Sequence, residues 1–91
     1  MTVRIKLPEE LARYCGGRDE SEVEAATFEA VLARLIEQFP DVGPRLLGRG
    51  GHLLSHLIVF RNGSSVPAPK LPKLAVTSHD ELEIMFLASG G

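Results

Sequence analysis

The segment that most constrains the fold runs from Thr27 to Pro40. Its apolar residues recur at intervals of three and four, which is the spacing of one face of an α-helix. They are Phe28, Val31, Leu32, Leu35, Ile36 and Phe39. Thr27 is a suitable N-cap, and the helix must end before Pro40 because proline disfavours helical geometry in the residue that precedes it. An apolar stripe this wide is stable only when a second layer of structure covers it.

Alternating apolar residues elsewhere in the chain predict the strands of that second layer. Residues 3–7 alternate between apolar and polar side chains, and a weaker alternation predicts a second strand at 22–26. The apolar run at 57–61 predicts a third strand. It ends at Asn62-Gly63, a pair typical of hairpin turns because both residues tolerate positive φ. A last strand is expected at 82–86, where every second residue is apolar.

The stretch between the hairpin turn and the last strand is rich in proline, at Pro67, Pro69 and Pro72. Proline offers no N–H group to a β-ladder, so any strand within residues 64–73 must be short and lie at a sheet edge. A further short strand or turn is expected at 74–76, just before the last strand.

The order of these elements predicts an α+β fold of the β-grasp type, in which a mixed sheet of four to five strands covers one main helix. We expect residues 1–87 to form this domain and residues 88–91 to form a flexible tail that ends in a diglycine. Three helix residues should pack against the first, third and last strands. The helix residues are Phe28, Leu32 and Leu35, and the strand residues are Val3, Ile5, Ile58 and Ile84.

Charge and cysteine content exclude several classes of function. Ten Lys and Arg residues stand against twelve Asp and Glu, with a net charge of -2 over 91 residues. We therefore expect no surface for nucleic acid or for an anionic membrane. The first residues turn polar too early for a signal peptide, and no apolar run approaches the roughly 18 residues of a membrane span. Cys15 is the only cysteine, which excludes an intramolecular disulfide and favours a cytoplasmic protein.

Internal side chains offer little for catalysis or metal binding. Cys15 lies beside two glycines with no base near it in sequence, so we interpret it as an incidental loop thiol rather than a nucleophile. A metal site would normally also draw on carboxylates or thiolates at favourable spacing, and the region of His52 and His56, four residues apart, is loop-like rather than helical. We therefore interpret His52, His56 and His79 as solvated loop histidines. The glycine-rich residues 48–51 lack the Lys and Ser or Thr of a phosphate-binding loop. We expect no catalytic residue, no metal site and no bound cofactor.

The end of the sequence, Ser89-Gly90-Gly91, is the remaining candidate for chemistry. A carboxylate becomes reactive when it attacks the α-phosphate of ATP and forms an acyl-adenylate. Glycines let a chain thread into the enzyme cleft where this occurs, because they have no Cβ and adopt nearly any backbone angle. The predicted last strand would aim such a tail from a rigid base. A frayed end without function is the alternative, because a match of two glycines is common.

Four apolar residues near this tail are candidates for contact with a partner protein. They are Phe60, Phe86, Leu87 and Ala88. Apolar residues exposed beside a mobile tail typically mark an interaction site. Burial of either Phe86 or Leu87 in the core is an equally open alternative.

Several segments of the chain together show the pattern of a known family. They are the opening strand, Thr27-Phe28, Phe60-Arg61-Asn62-Gly63, Asp80-Glu81-Leu82-Glu83-Ile84 and Gly90-Gly91. In these segments the chain resembles the MoaD/ThiS family, which includes the small subunit of molybdopterin synthase and the sulfur carrier of thiamine synthesis. Residues 11–17 and 45–57 are most similar to the carrier of a cysteine-forming pathway. Phe86, His79 and the proline-rich residues 66–72 depart from the family pattern.

The resemblance implies a ubiquitin-like sulfur carrier that acts with partner enzymes and is not itself an enzyme. By this resemblance Gly91 is the modified residue. An activating enzyme similar to the ubiquitin-activating type adenylates it with ATP, and sulfur then replaces AMP to leave a thiocarboxylate. The implied partners are this adenylating enzyme and a sulfur-accepting biosynthetic enzyme. Two alternatives stay open: a ubiquitin-like modifier joined to lysine amines through Gly91, and a non-catalytic β-grasp binding module.

Overall fold

The structure is a computed structural model that describes residues 2–87 of the chain. Its strands are β1 (Val3–Lys6), β2 (Glu20–Val23), β3 (Leu57–Arg61), β4 (Ser64–Val66) and β5 (Glu81–Phe86). Its α-helices are α1 (Glu9–Ala12), α2 (Phe28–Gln38) and α3 (Gly43–Leu46). None of the helices in this part of the chain is long and apolar enough to cross a lipid bilayer. The order of elements confirms the predicted β-grasp fold.

The strands form one mixed sheet in the order β2-β1-β5-β3-β4. β1 runs antiparallel to β2 and parallel to β5, whereas β3 is antiparallel to both β5 and β4. The β3–β4 hairpin turns at Asn62 and Gly63, whose φ values of 52° and 87° are positive, as the sequence predicts. β5 therefore occupies the centre of the sheet and has a neighbouring strand on each side.

The main helix, α2, begins and ends where its sequence predicts. The Oγ1 atom of Thr27 accepts a hydrogen bond from the Ala30 N–H at 3.2 Å, which caps the first turn. At the other end the Phe39 N–H donates to the Leu35 carbonyl at 2.8 Å, and Pro40 stops the helix. One face of α2 is buried on the sheet. Its buried residues are Phe28, Val31, Leu32 and Leu35.

The core lies between α2 and one face of the sheet. Alternate residues of β1, β3 and β5 supply its sheet side, and five of them have no exposed surface. They are Val3, Ile5, Val59, Leu82 and Ile84. The prediction that Val3, Ile5 and Ile84 pack in one core with the helix is confirmed.

The prediction that Ile58 belongs to this core is wrong. Ile58 is only half-buried, and its neighbours Leu57 and Val59 occupy the core instead. The reason is that residues 57–60 are all apolar, so this run has no alternation that would show which residues face the helix.

Two weaker strand predictions are misplaced. β2 was expected at 22–26 and instead spans Glu20–Val23, paired with β1. Because β2 is an edge strand with three polar residues among its four, its alternation is faint. Residues 74–76, where a short strand or a turn was predicted, form no strand, and Ala75 makes an isolated bridge to Thr27. β4 is the short strand expected near the prolines, and it lies at the sheet edge as predicted.

Candidate functional site

The end of β5 is the point at which the chain leaves the sheet toward its last residues. β1 pairs with the first half of β5, and β3 pairs with nearly all of it. The Leu87 N–H donates to the His56 carbonyl oxygen at 2.7 Å, which extends the β3–β5 ladder by one residue. The strand end is therefore held firmly. The predicted tail residues lie outside the described part of the chain. They are Ala88, Ser89, Gly90 and Gly91.

The face of the sheet turned away from α2 carries an apolar patch beside this strand end. Met85 on β5 lies directly across from Ile58 on β3. Leu87 follows Met85 on the same face, and Phe60 follows Ile58. Met85 and Leu87 are 43% and 55% exposed, whereas Ile58 and Phe60 are half-buried. These four residues form the apolar patch, whose exposure is typical of a surface that another molecule covers.

The structure brings two of the predicted partner contacts together and separates a third. Phe60 and Leu87 both belong to the apolar patch. Phe86 lies on the opposite face, across from the buried Leu57, and packs against the core. Its ring also stacks on His56, with centroids 5.7 Å apart and planes 6° from parallel. Of the two adjacent residues, Phe86 is therefore the one directed toward the core.

Ile58 and Met85 belong to the apolar patch but were missed as contact candidates. The sequence carried a signal for each of them. Ile58 lies in an apolar run that leaves no polar face for β3. Met85 lies on the face of β5 that otherwise carries the charged residues Glu81 and Glu83. An apolar residue on the polar side of an alternating strand indicates a surface that is covered in use.

The other half of the same sheet face is charged, and most of its charges neutralise one another. Arg4 Nε lies 2.7 Å from Glu20 Oε1, and Arg4 Nη1 lies 3.6 Å from Glu81 Oε2. Lys6 Nζ lies 3.3 Å from Glu81 Oε1. These ion pairs join β2, β1 and β5 across the sheet. Because the side chains are about half exposed, each pair stabilises the fold only weakly.

A hydrogen-bonded cluster fixes the start of β5 to the β3–β4 turn. The Asp80 carboxylate accepts hydrogen bonds from the Asn62 side-chain amide and from the Thr77 N–H, each at 2.8 Å. Asn62 Oδ1 in turn accepts from the Glu81 N–H at 2.8 Å. The bonds from Asn62 and Thr77 lower the pKa of the Asp80 carboxyl, because they stabilise its charged form. β5 is therefore anchored at its beginning as well as at its end.

The internal candidates for chemistry are not assembled into a site. Cys15 has no exposed surface and belongs to the core, so it is a core thiol rather than the loop thiol expected. Burial raises the pKa of this thiol, which disfavours the thiolate needed for nucleophilic attack. Within residues 2–87, no three His, Cys, Asp or Glu side chains come together as a metal site requires.

The mixed sheet, the helix across it and the apolar patch beside the last strand define a ubiquitin-like β-grasp protein. By sequence alone, no family model and no curated protein matches the chain. Solved structures do. SAMP1 from Haloferax volcanii, a small archaeal modifier protein, is 29% identical with a TM-score of 0.82, and the match covers 100% of both chains.

Two further solved structures share the fold at lower identity. A chain of the Amycolatopsis orientalis BexX/CysO complex is 22% identical with a TM-score of 0.85, covering 98% of this chain and 99% of the other. CysO from Mycobacterium tuberculosis is 20% identical with a TM-score of 0.84, covering 94% of this chain and 99% of its own. The comparisons confirm the resemblance to ubiquitin-like proteins of the MoaD/ThiS kind.

Proposed function

We propose that this chain is a sulfur carrier that acts through the carboxylate of Gly91. An adenylating enzyme of the ubiquitin-activating type binds the chain, and the carboxylate attacks the α-phosphate of ATP with release of pyrophosphate. A sulfide nucleophile (HS⁻) supplied by the partner then attacks the Gly91 carbonyl carbon and displaces AMP, and the carrier leaves as a thiocarboxylate. A biosynthetic enzyme accepts this sulfur for a cofactor, cysteine or another sulfur-containing metabolite. The proposed setting is the cytoplasm.

The observation that carries this proposal is the apolar patch at the end of β5. The strand is anchored at both ends, so its last residues have a defined direction relative to the sheet. A partner that covers Met85 and Leu87 would therefore dock beside the point at which the chain continues toward Ser89-Gly90-Gly91. Rigid support of a reactive group lowers the entropy lost when the group is positioned for attack.

The glycines suit the proposed reaction for a steric reason. The α-phosphate of ATP lies in a narrow cleft of an adenylating enzyme, and a residue without a Cβ passes such a cleft with little obstruction. The thiol of Cys15 is buried and so does not offer an alternative nucleophile. The chain therefore supplies the reacting carboxylate and the docking surface, while the partner supplies ATP and catalysis.

The test of this function compares variants of the last residue by ATP–pyrophosphate exchange with the adenylating enzyme of the same host. Deleting Gly91 shortens an extended chain by roughly 3.5 Å, which withdraws the carboxylate from the α-phosphate. Adding one residue turns the Gly91 carbonyl into an unreactive amide. We expect both variants to lose exchange, whereas Cys15→Ala keeps it. Undiminished exchange by the deletion variant, or loss by Cys15→Ala alone, would contradict the proposed mechanism.

A second candidate function is that of a protein modifier, in which the activated Gly91 carbonyl is joined to lysine amines. The likeness to the Haloferax modifier protein favours it. Intact-mass spectra from the native host separate the two. A gain of about 16 Da on the chain itself, from exchange of oxygen for sulfur, indicates the carrier, and adducts on other proteins indicate the modifier. An idle β-grasp binding module would show neither and would tolerate loss of Gly91.

A further inference from the structure

Glu83 occupies a distinctive place on the outer face of the sheet. Its position on β5 is in register with Lys6 of β1 on one side and with Phe60 of β3 on the other. It therefore lies at the border between the charged half of the face and the apolar patch. Its side chain is half-buried there, in contrast to Glu22, which is exposed on the edge strand β2.

The cation in register with Glu83, Lys6, is paired with another carboxylate. Lys6 Nζ is 3.3 Å from Glu81 Oε1, and Arg4 is shared between Glu20 and Glu81. Among the described residues, no cation lies within ion-pair distance of the Glu83 carboxylate, and no hydrogen bond to it is formed. The half-buried Glu83, at the border of the apolar patch, thus has no counter-charge among the described residues.

A protein that covers the apolar patch also removes water from Glu83. Burying a carboxylate without a partner cation is costly, and the loss is larger than the gain from a few apolar contacts. A wholly apolar docking surface is therefore rejected at this site. A surface that places a cation against Glu83 is accepted, because the ion pair then forms in surroundings of low dielectric constant.

We propose that Glu83 determines partner specificity by accepting an arginine side chain of the activating enzyme. This inference rests on the proposed function, since it names the chemistry of the surface that docks on the apolar patch. Within residues 2–87, neither carboxylate oxygen of Glu83 forms an ion pair, which suits the two parallel N–H donors of a guanidinium. The docking surface of the enzyme then has an apolar centre with an arginine at one border.

The experiment measures kcat/KM for ATP–pyrophosphate exchange by the purified adenylating enzyme of the same host. Glu83→Gln keeps the shape of the side chain and removes its charge, and we expect a decrease of at least about 10-fold. Glu83→Asp keeps the charge and should restore part of the loss. Glu22→Gln is the matched control, because Glu22 is on the same face but two strands away. It should equal wild type.

Salt concentration and stability separate this role from a structural one. Raising the salt concentration should lower the exchange rate of wild type more than that of Glu83→Gln, because salt screens the proposed ion pair. Urea unfolding should be the same for both. Wild-type exchange by Glu83→Gln, or equal losses in Glu83→Gln and Glu22→Gln, would overturn the inference while leaving the function intact. Absence of exchange in wild type itself would overturn the function, and the inference with it.

Discussion

The two faces of β5 differ in what they contact, although they belong to the same six residues. On the inner face Leu82 and Ile84 have no exposed surface and pack under α2. On the outer face Met85 is 43% exposed, and Leu87 just beyond the strand is 55% exposed. The alternation of a strand thus separates residues that hold the fold from residues that are free to meet a partner.

This difference shows why the outer face can carry function at low cost to stability. Removing a buried side chain leaves a cavity that the surrounding core fills only in part. Removing an exposed side chain leaves no cavity, and its effect on the free energy of unfolding is small. Residues of the apolar patch can therefore differ to suit a partner, while the core beneath them stays the same.

Ile84→Ala tests the inner face and should have the largest effect on stability. We expect it to lower the free energy of unfolding by about 2–5 kcal/mol, because Ile84 is fully buried. Leu32→Ala should show a loss in the same range from the helix side. Met85→Ala on the outer face is the matched control, with a change within about 0.5 kcal/mol. Equal losses for Ile84→Ala and Met85→Ala in urea unfolding would show that the two faces do not differ.

Leu87→Glu tests the outer face through activation rather than stability. A charge in the middle of a covered apolar surface should cost about 2 kcal/mol in docking, which is about 30-fold in kcat/KM for exchange. Leu87→Met keeps an apolar side chain and should stay near wild type. Both variants should unfold at the wild-type urea concentration, because Leu87 is exposed. Normal activation of Leu87→Glu would remove Leu87 from the interface.

Asp80→Asn tests the hydrogen-bonded cluster that fixes the start of β5. The pKa of the Asp80 carboxyl is lowered in the folded protein, chiefly by the hydrogen bond from Asn62. The ionised carboxylate therefore contributes its full stabilisation of the fold above the ordinary pKa of 3.8, and this stabilisation is lost as the pH falls through the lower folded pKa. At neutral pH we expect the variant to be less stable by about 1 kcal/mol, a modest figure because the cluster is exposed to solvent.

Urea unfolding of wild type and Asp80→Asn at a series of pH values measures this contribution. The difference between the two proteins should be constant from neutral pH to about pH 5 and should shrink below that, as Asp80 becomes protonated. Thr2→Ala, which lies outside the cluster, is a control that should show no such pH dependence. A difference that persists unchanged at the lowest pH would mean that the charge of Asp80 does not stabilise the turn.

Arg4→Ala should have the smallest effect of the set. It breaks the ion pairs with Glu20 and Glu81 in the charged half of the outer face. Because these side chains are about half exposed, we expect a loss of less than about 1 kcal/mol, smaller still at high salt. Activation should be unchanged, since Arg4 is distant from the apolar patch. A clear loss of exchange would extend the docking surface into the charged half.

The sequence predicted the elements whose two faces differ in polarity. Alternation located β1 and β5, and the apolar stripe with Thr27 and Pro40 located α2. The face of Ile58 was not predictable in this way, because β3 is apolar on both sides. β2 was misplaced for the opposite reason, since an edge strand with mostly polar residues carries little pattern. Periodicity depends on contrast between the faces of a strand, and both strands lack it.

The sequence predicted an apolar contact surface near the last strand, but it did not predict which residues form that surface. Phe60 and Leu87 follow from the apolar composition near the last strand, and the structure places them on one face. That Phe86 turns inward depends on the exact register of β5 with Leu57. Glu83 lacks a partner cation among the described residues because Lys6 pairs with Glu81 instead, and this pairing depends on side-chain geometry across β1 and β5. Neither is encoded in local spacing.

The parallel pairing of β1 with β5 gives the fold a mechanical property. The start of β1 and the end of β5 leave the sheet at opposite ends of one ladder. A force that draws these ends apart acts along the strands, so the hydrogen bonds between them resist together in shear instead of opening one after another. A hairpin such as β3–β4 would be unzipped by a pull on its two ends. A pulling force applied to the residues after β5 therefore acts along the strands, which is the direction in which the sheet resists extension.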